Sequence, residues 1–227
     1  MEKPTIGIIG AGKLGLTLAQ LASKAGYNVL ISSSRPAEQI ELTVEVLAPG
    51  AQAKTTAEVG HQADLLILAL PLGKFTQLPF ALFAGKVVID AMNYWWEVDG
   101  RENTFSDLHH SSSERVQSYL PHSTVIKAFN HMGYHDLADE ARPEGAVSRK
   151  AIAIAGDNLL AVKQVEYLLN DFGFDSLYLG ELHEGIRLEP GSELFGANLT
   201  LPDLKTANQQ FYDTAFGQAV KSANLNQ

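Results

Sequence analysis

The sequence predicts an α/β fold, a doubly wound and mostly parallel sheet with a helical extension at its C-terminal end. Three observations carry this. The apolar run Ile6-Gly7-Ile8-Ile9 enters a glycine turn and then a helix-spaced segment. Short apolar runs then recur between helix-like ones as far as residue 180, and from residue 181 the alternation stops. Strands that alternate with helices need crossover connections, and these give a parallel sheet covered by helices.

Taken in order, the first run reads as a buried strand, and Leu14, Leu18, Leu21, Ala22 and Ala25 follow it at helical spacing. Between them lie Gly10-Ala11-Gly12-Lys13-Leu14-Gly15. In that context Gly10 permits the tight turn, Gly12 lets the backbone approach a diphosphate, and Gly15 lets the helix pack on the strand. The free N–H groups and positive dipole end of the helix complete an anion site. A bare G-x-G-x-x-G is a weak motif. The strand before it and the helix after it make it the dinucleotide fingerprint of a Rossmann-type fold.

Asn28-Val29-Leu30-Ile31 reads as the second strand. At its end, about 20 residues past the glycines, NAD-binding chains carry an acid for the ribose hydroxyls. This chain has Ser32, Ser33, Ser34 and Arg35 there, donors that suit a phosphate, with the guanidinium able to grip it bidentately. The expected cofactor is therefore NADP(H), with Ser33, Ser34 and Arg35 on the 2′-phosphate. An ordinary polar loop and helix cap is the alternative.

Further along, Glu38 to Leu47 has helical spacing, and Leu65 to Leu70, Lys86 to Asp90, Thr124 to Ala128, Ala151 to Ala155 and Ser176 to Leu179 read as strands. Leu159 to Leu169 reads as a helix that Asp157 or Asn158 caps. Asn93 to Ser113 is the longest irregular stretch, of a length that usually carries function or disorder. Leu204, Ala207, Phe211, Ala215 and Phe216 mark one amphipathic C-terminal helix opened by Pro202-Asp203. Its apolar face must pack either on its own sheet or on the partner in a homodimer. The expected division is a dinucleotide-binding domain over 1–180 and an extension over 181–227.

Composition narrows the function classes. The chain has 227 residues, 45% of them hydrophobic, enough for a sizeable core. It has no cysteine, which excludes disulfides, thiolate catalysis and cysteine-ligated zinc and suits a reducing compartment. The first strand begins by residue 5 with no charged leader before it, and no run of about 18 apolar residues follows, so a cytoplasmic chain with no membrane partner is expected. The net charge of −9 argues against a nucleic-acid partner and leaves a phosphate to be held by local cations such as Arg35 and Lys13.

The glycine motif, Ser33-Ser34-Arg35, Ala69-Leu70-Pro71, Val87-Val88-Ile89-Asp90 with Asn93 after it, Lys127-Ala128-Phe129-Asn130 and Ala155-Gly156-Asp157 occur in this order. As an ordered set, across about residues 5–185, they resemble the family of coenzyme F420-dependent NADP oxidoreductases. They are also similar to the NADPH-binding domain of the STEAP metalloreductases. The resemblance implies an oxidoreductase that transfers hydride between NADP(H) and a flat acceptor, coenzyme F420 or another flavin-like small molecule. It further implies that Gly10, Gly12, Lys13, Leu14 and Gly15 hold the diphosphate, that Leu70 and Pro71 border the ribose, and that Asn93, Ala128 and Asn130 lie near the nicotinamide. The family often has an Arg where Ser34 stands, and the loop from Tyr94 to Ser113 and the tail after Glu189 match it poorly.

Hydride transfer asks a protein for orientation, electrostatics and exclusion of water rather than a triad. Asn130 and His131 are the candidate catalytic residues. His131, with His135, follows a strand end that faces the expected cleft and would protonate an acceptor or line its pocket. A solvated or core-satisfied histidine is the other reading. The two histidines lack a third ligand and Gly133 interrupts a helix between them, so no metal is expected. Trp95 and Trp96 either stack on a flat acceptor or anchor their loop to the core. Arg187 is read as solvated or as meeting an acidic acceptor. Two other functions stay open, a non-catalytic NADPH-binding redox sensor and a reductase of a small imine or carbonyl compound.

Overall fold

In the computed structural model, which describes residues 3–100, 105 and 107–225, the apolar runs become short strands and the helix-spaced segments become helices. In chain order these are β1 (Ile6–Ile9), α1 (Lys13–Lys24), β2 (Val29–Ser32), α2 (Ala37–Leu47), β3 (Ala51–Ala53), α3 (Thr56–Gln62), β4 (Leu65–Leu68) and β5 (Val87–Asp90). There follow α4 (Trp96–Asp99), α5 (Ser112–Tyr119), β6 (Thr124–Lys127), α6 (Tyr134–Asp139), β7 (Ala151–Ile154), α7 (Leu159–Phe172), β8 (Asp175–Tyr178), α8 (Leu201–Gln209) and α9 (Ala215–Asn224). The main sheet has the order β3-β2-β1-β4-β5-β6 with every pair parallel. This is the doubly wound Rossmann order, whose direction of winding reverses between β1 and β4.

The two-residue period of the strands decides which helices they meet. Ile6, Ile8, Val29, Ile31, Leu65, Ile67, Ile89 and Ile126 pack with α1, α2 and α7 in one core. Ile9, Leu30, Leu66, Leu68, Val88 and Val125 pack with Val59, Phe75, Phe83 and Val116 in the other. At Gly7 a Cβ would lie 2.6 Å from the Ala63 Cβ, so α3 lies close over β1 because that position has no side chain.

Three elements differ from the expectation. β3 was not expected: Ala51-Gln52-Ala53 is a partly exposed edge strand with no branched residue to mark it. β7 and β8 form a separate parallel pair, joined to the main ladder by an antiparallel bridge of Lys127 with Ala155. The expected single C-terminal helix is two, α8 and α9, separated by a 3₁₀ turn at Phe211–Asp213. Phe211 turns inward onto Ile186 and Val220, and Thr214 starts the second helix by accepting the Gly217 N–H at 3.0 Å. The apolar side of α8 is covered within the chain, where Leu204 packs with Ala151, Ala153 and Leu177 of the β7–β8 pair.

Asn158 caps α7 as expected, accepting from Leu160 and Ala161 N–H. The irregular stretch contains α4 and the start of α5, the latter closed by a capping box of Ser111 with Glu114; residues 101–104 and 106 of it lie outside the described residues. Among the described residues no helix is long and apolar enough to cross a membrane.

Candidate dinucleotide site

Two adjoining cavities open at the C-terminal edge of the sheet, beside the winding reversal where ligands of such folds sit. The first, about 580 Å³, is lined by Gly10 to Gly12, by Ser33, Ser34 and Arg35 after β2, by Thr56, by Leu70 and Pro71 after β4, and by Lys74 and the segment Gln77 to Pro79. The second, about 230 Å³, is lined by Gly12 to Leu14, Leu70, Pro71, Asn93, Trp95, Val98 and Asp99. Gly12 and the stretch Ala69 to Pro71 border both.

The three glycines have distinct physical roles. Gly10 has φ +121°, and a Cβ on it would fall 2.1 Å from the Ala69 oxygen. A Cβ on Gly15 would fall 1.8 Å from the Gly10 oxygen, which is the close helix–strand packing expected of it. On Gly12 a Cβ would meet nothing within 4 Å, because that position faces open space. Gly12 is also the N-cap of α1, where no side chain caps the helix and no acid stands in the first turn. The first-turn N–H groups and the positive dipole end therefore remain available to an anion.

Ser33 and Arg35 are held by their own turn, the Arg35 N–H donating to the Ser33 Oγ at 3.0 Å. Arg35 and Ser34 are exposed at the cavity wall. Ser32 differs from them: it is fully buried on β2 and accepts from the Thr56 hydroxyl at 3.2 Å. Lys13 sends its Nζ to the Tyr134 hydroxyl at 3.0 Å and over that ring, at 5.2 Å from the centroid.

Behind the second cavity lies a buried polar network that the sequence reading missed. Lys127 and Asp90 are both fully buried and 3.3 Å apart; the Lys127 Nζ donates to the Met92 oxygen at 2.7 Å and the Ser113 hydroxyl to Asp90 at 2.6 Å. Asp90 in turn accepts the Met92 N–H at 2.9 Å. These bonds fix the chain that leads into Asn93. Opposite charges at the matching ends of β5 and β6, which pair in register, were the available signal.

Several candidate residues lie elsewhere than expected. Ala128 is fully buried and Asn130 is 3% exposed, and neither lines either of these two cavities. The Asn130 Nδ2 donates to the Asn93 Oδ1 at 3.1 Å and to the Leu188 oxygen at 2.7 Å, while the Asn93 Nδ2 donates back to the Asn130 oxygen at 2.8 Å. Asn130 thus reaches the second cavity only through Asn93. His131 is corrected more fully. It is 1% exposed, its Nε2 accepts the Ala153 N–H at 2.9 Å, and burial pushes its pKa down to about 4. At neutral pH the ring is therefore uncharged; with its Nε2 occupied by the Ala153 N–H and its side chain outside both cavities, it ties the segment after β6 to β7 rather than meeting an acceptor. His135 is exposed, its ring centroid 4.1 Å from that of Tyr134. Arg187 is neither solvated nor aimed at the cavities: it pairs with Glu184 at 2.5 Å and lies 5.0 Å from the Phe211 and Tyr212 ring centroids. Just ahead of Asn130, Phe129 holds φ at +65° while fully buried.

The tryptophans are not core anchors. Trp95 and Trp96 are 46% and 53% exposed, and the Trp95 ring meets Phe195, from the C-terminal region, edge-on at 5.6 Å between centroids. Among the described residues, no group of three or more His, Asp or Glu could hold a metal ion.

Comparison with known proteins bears on the segment that carries the glycine turn, the first cavity and part of the second. Residues 5–94 match the family described as NADP oxidoreductase, coenzyme F420-dependent. The metalloreductase STEAP3 of Rattus norvegicus is 26% identical over 190 residues, which cover 83% of this chain. The chain spans only 36% of the length of that relative. A hypothetical protein of Sinorhizobium meliloti superimposes with a TM-score of 0.76 at 27% identity, covering 87% of this chain and 96% of its own. A proposed F420-dependent NADP reductase of Arthrobacter shares the fold, with a TM-score of 0.65, 23% identity, and 79% of this chain and 86% of its own covered.

Proposed function

We propose that this chain binds NADP(H) across the two cavities and works as an oxidoreductase toward a flat, flavin-like or deazaflavin acceptor. The observation that carries the reading is that the uncapped end of α1 and the Ser33-Ser34-Arg35 turn line one cavity. The residues fit the cofactor. Gly12, with open space where a Cβ would stand, would hold the diphosphate with Gly10, Lys13, Leu14 and Gly15. Ser33, Ser34 and Arg35 would hold the 2′-phosphate, and Leu70 and Pro71 would border the ribose. Asn93 would meet the nicotinamide end, held in place by Asn130. NADPH supplies a hydride when bound. The chain's own part is to orient that end, exclude water with the apolar second cavity, and present the half-exposed Trp95 to a ring. The same proposal divides the chain into a cofactor-binding part, 1–180, and an extension, 181–227, that brings Phe195 to the acceptor side.

The test is NADPH oxidation with coenzyme F420, FMN, FAD and a quinone as acceptors. The double variant Trp95→Ala with Trp96→Ala should raise the acceptor KM about tenfold or more, since stacking on an aromatic contributes on the order of 1–3 kcal/mol. NADPH affinity should stay near the wild-type value. Tight NADPH binding with no turnover on any acceptor would favour a redox sensor instead.

A further inference from the structure

Asp99 joins two segments that the cavities otherwise keep apart. Its Oδ1 accepts the Gly73 N–H at 2.8 Å and its Oδ2 accepts the Trp95 N–H at 2.9 Å. Gly73 lies in the 3₁₀ turn Leu72–Gln77, whose next residue, Lys74, lines the first cavity. Trp95 and Asp99 line the second. A Cβ on Gly73 would come within 3.1 Å of the Asp99 Oδ1, so the turn and the carboxylate are in close contact with little slack between them.

We propose that Asp99 is a positioning residue that couples the phosphate end of the site to its acceptor end. Filling the first cavity sets where Trp95 stands at the second. This rests on the NADP reading of the first cavity. Both carboxylate oxygens are engaged, each in a charge-assisted bond to a backbone N–H, so the group cannot follow one segment without moving the other. A phosphate drawn to Lys74 displaces or steadies the adjoining Gly73 peptide, and the carboxylate passes that constraint to the Trp95 peptide. The consequence is an order of binding: cofactor first, then an acceptor that meets a formed wall. Couplings of this kind change affinity by about 5- to 150-fold.

The chain's two tryptophans are neighbours in this segment, at positions 95 and 96, so selectively excited tryptophan emission reports on it alone. The probe is 2′,5′-ADP, which carries the cofactor's adenosine-end phosphates but no nicotinamide to reach or quench an indole. In the wild-type protein the emission should change with the midpoint that calorimetry gives for binding. In Asp99→Asn one of the two bonds is lost, because the amide nitrogen cannot accept an N–H. Calorimetric affinity for 2′,5′-ADP should stay within about twofold, the emission response should vanish, and the acceptor KM should rise about tenfold. Asp99→Glu, which keeps both acceptor oxygens, should retain part of the response. An unchanged response in Asp99→Asn, or wild-type binding with silent emission, overturns the coupling while leaving the cofactor reading intact. No heat of binding in the wild type overturns the cofactor reading and the coupling with it.

Discussion

Replacing Gly12 with Val separates binding from folding at a single position. A Cβ there meets nothing within 4 Å, and the backbone, at φ −84° and ψ −172°, suits any residue. The folding cost is confined to the N-cap position, where an apolar residue is about 0.5–1 kcal/mol worse than glycine, or a Tm lower by about 1–4 °C in a chain of this size. Binding suffers far more. The branched side chain would occupy the space that a diphosphate needs to reach the first-turn N–H groups of α1. Two charge-assisted bonds lost at about 1.5 kcal/mol each come to about 3 kcal/mol, more than about a hundredfold in Kd. Titration calorimetry with NADPH and with NADH should show the same loss, since both carry the diphosphate, and scanning calorimetry should show a folded protein. A folded variant with wild-type titration curves would refute the diphosphate site, and a variant that melts far below the stated range would refute the open-space geometry. Gly10→Ala and Gly15→Ala are the contrast: a Cβ there falls 2.1 Å and 1.8 Å from backbone oxygens, so both should lose stability as well as binding.

Arg35→Ala should weaken NADPH binding about tenfold, the lower end of a charge-assisted contact because Arg35 is exposed, and leave NADH binding nearly unchanged; equal losses in titration calorimetry would sink the 2′-phosphate assignment. Ser33→Asp should move preference toward NADH, and calorimetry that finds no such move would count against the turn after β2. Lys127→Met strands the Asp90 carboxylate in the core at a cost of about 3–5 kcal/mol, and adding Asp90→Asn should recover most of it; urea unfolding with no loss in the single variant would contradict the buried pair. Burial holds His131 at about 4, below the ordinary 6.5, so the unfolded chain binds more protons between those values. The stability tied to its neutral form is complete above pH 6.5 and is lost as pH falls toward 4, about 3 kcal/mol in all. The Tm of the wild type should fall across that window more steeply than that of His131→Gln, and parallel curves would refute the assignment.

The cofactor end of the site was legible because its determinants are contiguous: strand, glycine turn, helix and the second strand end fall within residues 6–35. The seven strands with branched or leucine-containing runs were legible for the same local reason. What escaped was set by distant pairs. Lys74 and Thr56 join Arg35 in one cavity only through the packing of α3 and the turn after β4, and no spacing in the sequence brings Gly73 to Asp99. The choice between a catalytic and a core-satisfied His131 could not be made from the sequence, because its position after a strand end says nothing about the side chain's direction; the return of the chain through β7 buries it. The break between α8 and α9 escaped because Phe211 keeps the helical spacing while turning into a separate small cluster.

The backbone at Phe129 carries a further consequence. A bulky residue in the left-handed region stores on the order of 1–3 kcal/mol, and here it is held by burial and by the Phe172 ring, 5.8 Å between centroids. That energy is present in every folded molecule, whether or not anything is bound. It keeps the turn into Asn130, and through it the amide of Asn93, in a single arrangement before a ligand arrives. Loosening the packing at Phe172, at the far end of α7, would therefore register as weaker recognition at the sheet edge as well as a lower melting point.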